Sequence, residues 1–221
     1  SFFLGFTKFW VELTGLTPGQ AYAYQYWVCD NTSRTANSPA IVKTADPFST
    51  LLLSPYDDPE IVTLGVYPGL PVYTTIAPGQ EREVTFLQTG PTAYWNYNWS
   101  AATTNFVKPK KKDLIIYEAL VRDFDSDRTY QDLIDKIDYF KDLKINAIQL
   151  MPVMEFEGNI SWGYNTVYHM ALDKRYGPPT KLKQFIDLCH QNGIAVILDI
   201  ALNHAFGRSP LVRMWMNDAD G

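Results

Sequence analysis

The chain has 221 residues, 46% of them hydrophobic and 19% charged, which is enough for one large or two ordinary globular units with real cores. A formal net charge of −5 with no basic stripe argues against nucleic acid as a partner, and no apolar run approaches the roughly 18 residues of a membrane span. The two cysteines, Cys29 and Cys189, lie far apart in different kinds of sequence and read as packed thiols rather than as a metal site.

In chain order, Phe9, Val11 and Leu13 alternate with polar neighbours, and Leu16-Thr17-Pro18-Gly19-Gln20 makes a turn. Tyr22, Tyr24, Tyr26 and Val28 then alternate in period two, and strand-like runs occur at 61–66, 71–76 and 81–87. No helical periodicity precedes about residue 127, so residues 1–107 read as an all-β, sandwich-like module, with 91–106 a loop packed between the modules. The crowding of Tyr, Asn and Trp here leans toward an exported protein, although the compartment stays open. The lysine-rich stretch 108–113 reads as a solvated linker.

From 114 the pattern changes. Leu114–Val121, Ile145–Val153 and Ile194–Ala201 read as buried strands, and apolar residues at helical spacing over 129–143 and 180–192 read as the helices between them. Strand, helix, strand, helix, strand implies parallel strands joined by right-handed crossovers. Asp199 interrupts the last apolar run and needs partners there. Asn203 and His204 arrive just past the strand's C-terminal end, where ligands sit in β/α folds. The fold class is therefore α/β: an N-terminal β module, then 114–221 as the first part of a (β/α)8 barrel.

Several motifs carry a resemblance. Tyr117-Glu118 with Val121-Arg122-Asp123-Phe124, the Asn146–Val153 strand, Ser161-Trp162-Gly163-Tyr164-Asn165 with Asp173-Lys174-Arg175-Tyr176-Gly177, and Asp199 to His204 together resemble the α-amylase family of glycoside hydrolases, in its pullulanase, isoamylase and neopullulanase-like branch. The resemblance implies that His204 bonds a hydroxyl of the sugar at the cleavage point, that Tyr164 is the ring on which that sugar stacks, and that Asp199 organises the site. Trp162 would pack under the loop or touch sugar. Asn203 matches a position that ligates calcium in many members, an ion that needs about six to eight oxygens.

The partner so implied is an α-glucan such as starch, glycogen or pullulan. The family's retaining mechanism sets two carboxyl groups about 5–5.5 Å apart, and the resemblance puts them on later strands, beyond Gly221. The expectation is thus of a fragment that lacks its catalytic groups, is inactive alone, and self-associates through an open sheet edge. The competing reading is a non-catalytic carbohydrate-binding or scaffold protein of the same fold.

Overall fold

The computed structural model describes residues 10–29, 41–73, 82–90 and 94–215. In the N-terminal part the elements are β1 (Ala21–Tyr24), β2 (Tyr26–Cys29), β3 (Ile41–Thr44), β4 (Leu52–Leu53), α1 (Asp58–Leu64) and β5 (Val84–Gln88). Strand β5 pairs antiparallel with β1 on one side and β4 on the other, while β2 pairs antiparallel with β3 in a separate sheet. The alternating tyrosine run thus divides at Gln25, whose amide donates to the Glu83 carbonyl (3.0 Å), and serves two sheets.

This part is not all-β. The run Ile61-Val62-Thr63-Leu64, expected as a strand, is the body of α1. Its start signal is Asp57-Asp58-Pro59-Glu60, with proline in the first turn and acidic groups beside the unpaired amides. Gly65 stops it at φ 66°, its amide reaching the Ile61 and Val62 carbonyls. Capping here overrides the β-propensity of three branched residues. The strand expected around 9–13 is also absent, with Val11 and Leu13 irregular and exposed; Phe9 lies outside the described residues. Residues 71–73 are irregular, and 74–76 lie outside them too.

The segment leading to the parallel sheet holds a short helix, α2 (Ala101–Thr104), instead of loop alone, and the lysine stretch ends in an exposed 3-10 turn, Lys111–Asp113. Then come β6 (Ile116–Ala119), α3 (Val121–Phe124), α4 (Tyr130–Asp135), α5 (Ile137–Asp142), β7 (Ala147–Leu150), β8 (Met154–Phe156), β9 (Thr166–Leu172), α6 (Pro179–Gln191), β10 (Ala195–Leu198) and α7 (Pro210–Trp215). Strands β6, β7 and β10 form a parallel sheet in that order, Ile116 and Ala195 both standing opposite Ala147. The expected strand order is present in shorter strands.

Thr129 starts α4 with a capping box: its hydroxyl accepts from Gln131 N, and its own amide donates to Asp132 Oδ2 at 2.9 Å. The single helix expected over 129–143 breaks at Lys136 (φ −100°, ψ 17°), although Phe140 N still reaches the Lys136 carbonyl at 3.4 Å. One face of the sheet, with Ala119, Ile148, Leu150 and Val196, packs on Leu133, Phe140, Leu182, Phe185 and Cys189 from the helices. The opposite face is open, and Ile116 there is 47% exposed. The expectation of a buried strand therefore fails in part for β10, whose Leu198 is 40% exposed. Cys189 is a free buried thiol; the side chain of Cys29 lies outside the described residues.

The two parts share a core in which Ala45 and Leu52 pack against Val167, Tyr168 and Ala171 of β9. Beside it the Lys174 ammonium, fully enclosed, lies 3.3 Å from Asp58 Oδ1 at the start of α1 and bonds Glu155 Oε1 of β8. Burial raises the Asp58 and Glu155 carboxyls above the usual range and pushes Asp173 up to about 7, while Lys174 draws all three back down. Several buried carboxylates around one ammonium cannot all ionise cheaply, so this cluster retains a proton near neutrality.

Candidate functional site

The hairpin of β8 and β9 does the positioning that the sequence left to a loop. Its tip, 157–165, folds back over the C-terminal end of β7. Gly163 sits at φ 92°, and a Cβ there would collide with the Pro152 carbonyl oxygen, so only glycine allows the tip to lie this close. Ser161 Oγ accepts from Gly163 N at 2.9 Å and bonds Asn165 Oδ1, while Asn165 Nδ2 donates to the Glu157 carbonyl at 3.0 Å. The Ser-Trp-Gly-Tyr-Asn pattern thus staples itself and presents Trp162 and Tyr164 outward, 62% and 39% exposed.

Tyr164 meets the residues that come after β10. Its hydroxyl donates to Asp199 Oδ2 at 2.7 Å, which gives the half-buried carboxylate the partner it needs. That hydrogen bond, with burial and the nearby negative charges of Asp199 and Glu118, pushes the phenol up to about 12. His204 Nε2 lies 2.7 Å from the Tyr164 carbonyl oxygen, which can only accept, so Nε2 carries the proton. Nδ1 lies 3.0 Å from Asn203 Oδ1, and the neutral ring completes this contact when the amide is turned to present its nitrogen.

Tyr164, Asp199, His204 and Asn203 are thus brought together; Trp162 stands on the same loop, exposed. His169 of β9 reads as bland from sequence, yet its Nε2 faces the carbonyls of Ala201 (3.1 Å) and His204 (3.2 Å) and so holds the 201–204 segment. The signal that could have found it is an imidazole inside the apolar run Val167 to Ala171. Glu118 of β6 accepts from Gln149 at 3.2 Å on the open face of the sheet.

Asn203 is the position that the resemblance offers as a calcium ligand. Its amide is engaged by His204, and no group of three or more His, Cys, Asp or Glu side chains converges to hold a metal among the described residues. A cavity of about 780 Å³ lies elsewhere, beside the N-termini of α4 and α6 and lined by Tyr67, Tyr94, Gln131, Tyr176 and Lys181 among others. None of Tyr164, Asp199 and His204 lines it.

Residues 116–210 match the family model described as "Alpha amylase, catalytic domain". This stretch belongs to the alpha-amylase catalytic-domain family. Among curated relatives of the alpha-amylase stretch, a malto-oligosyltrehalose trehalohydrolase of Saccharolobus solfataricus is 41% identical over 100 residues, 45% of this chain and 18% of that protein. A 1,4-alpha-glucan branching enzyme of Halothermothrix orenii is 37% identical over 119 residues, 49% of this chain and 19% of that protein. The chain thus spans under a fifth of the length of either.

Among solved structures, the catalytic module of the pneumococcal glycogen-degrading virulence factor SpuA aligns over 83% of this chain and 28% of its own, with a TM-score of 0.57 and 22% identity. A candidate alpha amylase from Salmonella typhimurium aligns over 91% of this chain and 27% of its own, with a TM-score of 0.62 and 23% identity. At such identities these two likenesses concern fold alone, and they extend it across most of the N-terminal part as well.

Proposed function

We propose that this chain supplies part of the sugar-binding floor of an α-glucan-active glycoside hydrolase, one that cleaves α-1,4 or α-1,6 glucosidic bonds with retention. The observation that carries this reading is the convergence of Tyr164, Asp199 and His204 at the C-terminal end of a parallel sheet, inside the alpha-amylase stretch. The Tyr164 ring is the platform for the apolar face of a pyranose, and Asp199 fixes its tilt. His204 and Asn203 offer an imidazole and an amide edge to sugar hydroxyls, neutral donors and acceptors that suit a neutral polyol. The names of the curated relatives support α-glucans as the substrate class.

Neither nearby carboxylate is assigned as the acid or the nucleophile: Asp199 is held by Tyr164, and Glu118 by Gln149. We assign neither group within residues 1–221, so this chain by itself binds without turnover. The N-terminal part acts as a buttress to the barrel, a reading supported by the shared core and the Lys174 cluster. In the three-stranded sheet β6 and β10 each have one neighbour, and the isolated chain self-associates through these edges.

The deciding experiment is reducing-sugar release from starch and pullulan by the 221-residue chain beside the full gene product, with sedimentation of the former. Release by the full product alone is expected. Turnover by the 221 residues would overturn the assignment of catalytic groups, and silence from both would favour a non-catalytic carbohydrate-binding protein.

A further inference from the structure

The segment after β10 carries the proposed sugar contacts on one side and two arginines on the other. Arg208 Nη2 lies 2.6 Å from Asp57 Oδ2, its Nη1 3.3 Å from Glu83 Oε1 and its Nε 3.8 Å from Glu157 Oε1. Arg213 Nη1 donates to the second oxygen of Glu83 at 3.0 Å. The Arg208 amide donates to Glu157 Oε2 at 3.3 Å, and its guanidinium lies over the Tyr56 ring, 5.0 Å from the centroid. Next to it, Gly207 passes close enough to Glu157 that a Cβ there would make the carboxylate shift. Asp57, Glu83 and Tyr56 all belong to the N-terminal part.

The network is enclosed, the Glu83 and Arg213 side chains being 2% and 4% exposed. Charges so placed need their partners, and the planar fork that Arg208 spreads between two carboxylates is one that lysine cannot reproduce. Four positions earlier stands His204. Between them Phe206 N donates to the Thr166 carbonyl at 2.9 Å. The segment is therefore held by His204 on Tyr164, by His169 on the carbonyls of Ala201 and His204, by Phe206 on β9, and by Arg208 and Arg213 on the N-terminal part. Of the holds on the N-terminal part, Arg208 is the nearer to His204 in sequence.

We propose that Arg208 is a positioning residue through which the N-terminal part, by Asp57 and Glu83, sets where His204 stands and hence how tightly the site holds glucan. The inference rests on the reading of Tyr164 and His204 as sugar contacts. It makes the N-terminal part a determinant of the site's affinity as well as a support.

The test uses the full gene product with Arg208→Lys and, on the far side of the contact, Asp57→Asn, each assayed well below its own melting temperature. The readouts are KM and kcat on soluble starch and amide hydrogen exchange over 200–208. Expected are a KM raised about tenfold with kcat changed less than twofold, a loss of uniform binding, and Phe206 exchange accelerated at least tenfold. A fall in melting temperature with KM and exchange at wild-type values would overturn the proposal and leave only a structural ion pair. If the wild type processes no α-glucan, the functional reading falls separately; wild-type exchange in both variants would then still refute the clamp.

Discussion

Lys174, Glu155 and Asp58 meet where their side chains are almost wholly enclosed, whereas Tyr164, Asp199 and His204 meet where Tyr164 is 39% exposed. Both clusters join hydrogen-bonding groups from distant parts of the chain, and both turn on the β8–β9 hairpin. They differ in what surrounds them. In the enclosed cluster water cannot replace a missing partner, so each charge makes the others obligatory and the fold depends on the set. In the open cluster water can stand in for any partner, so a sugar hydroxyl can as well. One region ties the two parts of the molecule together; the other is free to exchange its bonds.

Lys174→Met should separate the two regions most sharply. It leaves Asp58 and Glu155 enclosed without their cation, a loss of about 3–5 kcal/mol, read as a large fall in the urea midpoint or as insoluble expression. Gly163→Ala attacks the open region through its backbone, at a left-handed position whose Cβ meets the Pro152 carbonyl. It should cost roughly 1–3 kcal/mol and remove maltoheptaose binding by the full gene product, because the tip that carries Tyr164 must move.

The protonation of the enclosed cluster gives a smaller effect with a definite sign. Asp173 is raised from 3.8 to about 7, so the native state keeps a proton that the unfolded chain has released. That contribution is fully present below pH 4, falls as the pH rises, and is gone above about 7. Urea midpoints should therefore drop between about pH 4 and 7, and Glu155→Gln, which removes one competing carboxylate, should flatten the drop. The smallest change in stability, within about 0.5 kcal/mol, is expected for Tyr164→Phe in the open cluster. Its maltoheptaose affinity in the full gene product should nonetheless fall about three- to tenfold, the worth of one net hydrogen bond. Equal losses of stability from Lys174→Met and Tyr164→Phe would erase the distinction.

What the sequence disclosed follows the same divide. The order of β6, β7 and β10 was legible because each strand and helix announces itself within a dozen residues. Tyr164, Asp199 and His204 were legible through motif resemblance, and the structure adds the bonds that join them. The Lys174 cluster was not legible, since Asp58 lies in the other part of the chain and nothing local marks Lys174 as enclosed; Glu155 between Met154 and Phe156 was the available hint. Helix α1 is hidden in the sequence because its branched residues favour a strand, while the Asp-Pro-Glu start and the glycine stop decide for a helix. His169 and Arg208 act on one segment from β9 and from its own far end, relationships that only the folded path creates.

The buried thiol of Cys189 on α6 has a practical consequence. Burial pushes it up to about 12, so at neutral pH it is both shielded and almost entirely in the unreactive thiol form. Alkylation by a neutral maleimide can proceed only when α6 lifts from the sheet. The labelling rate of Cys189, followed in a Cys29→Ser variant, is thus a clock for transient opening of the core beneath α6.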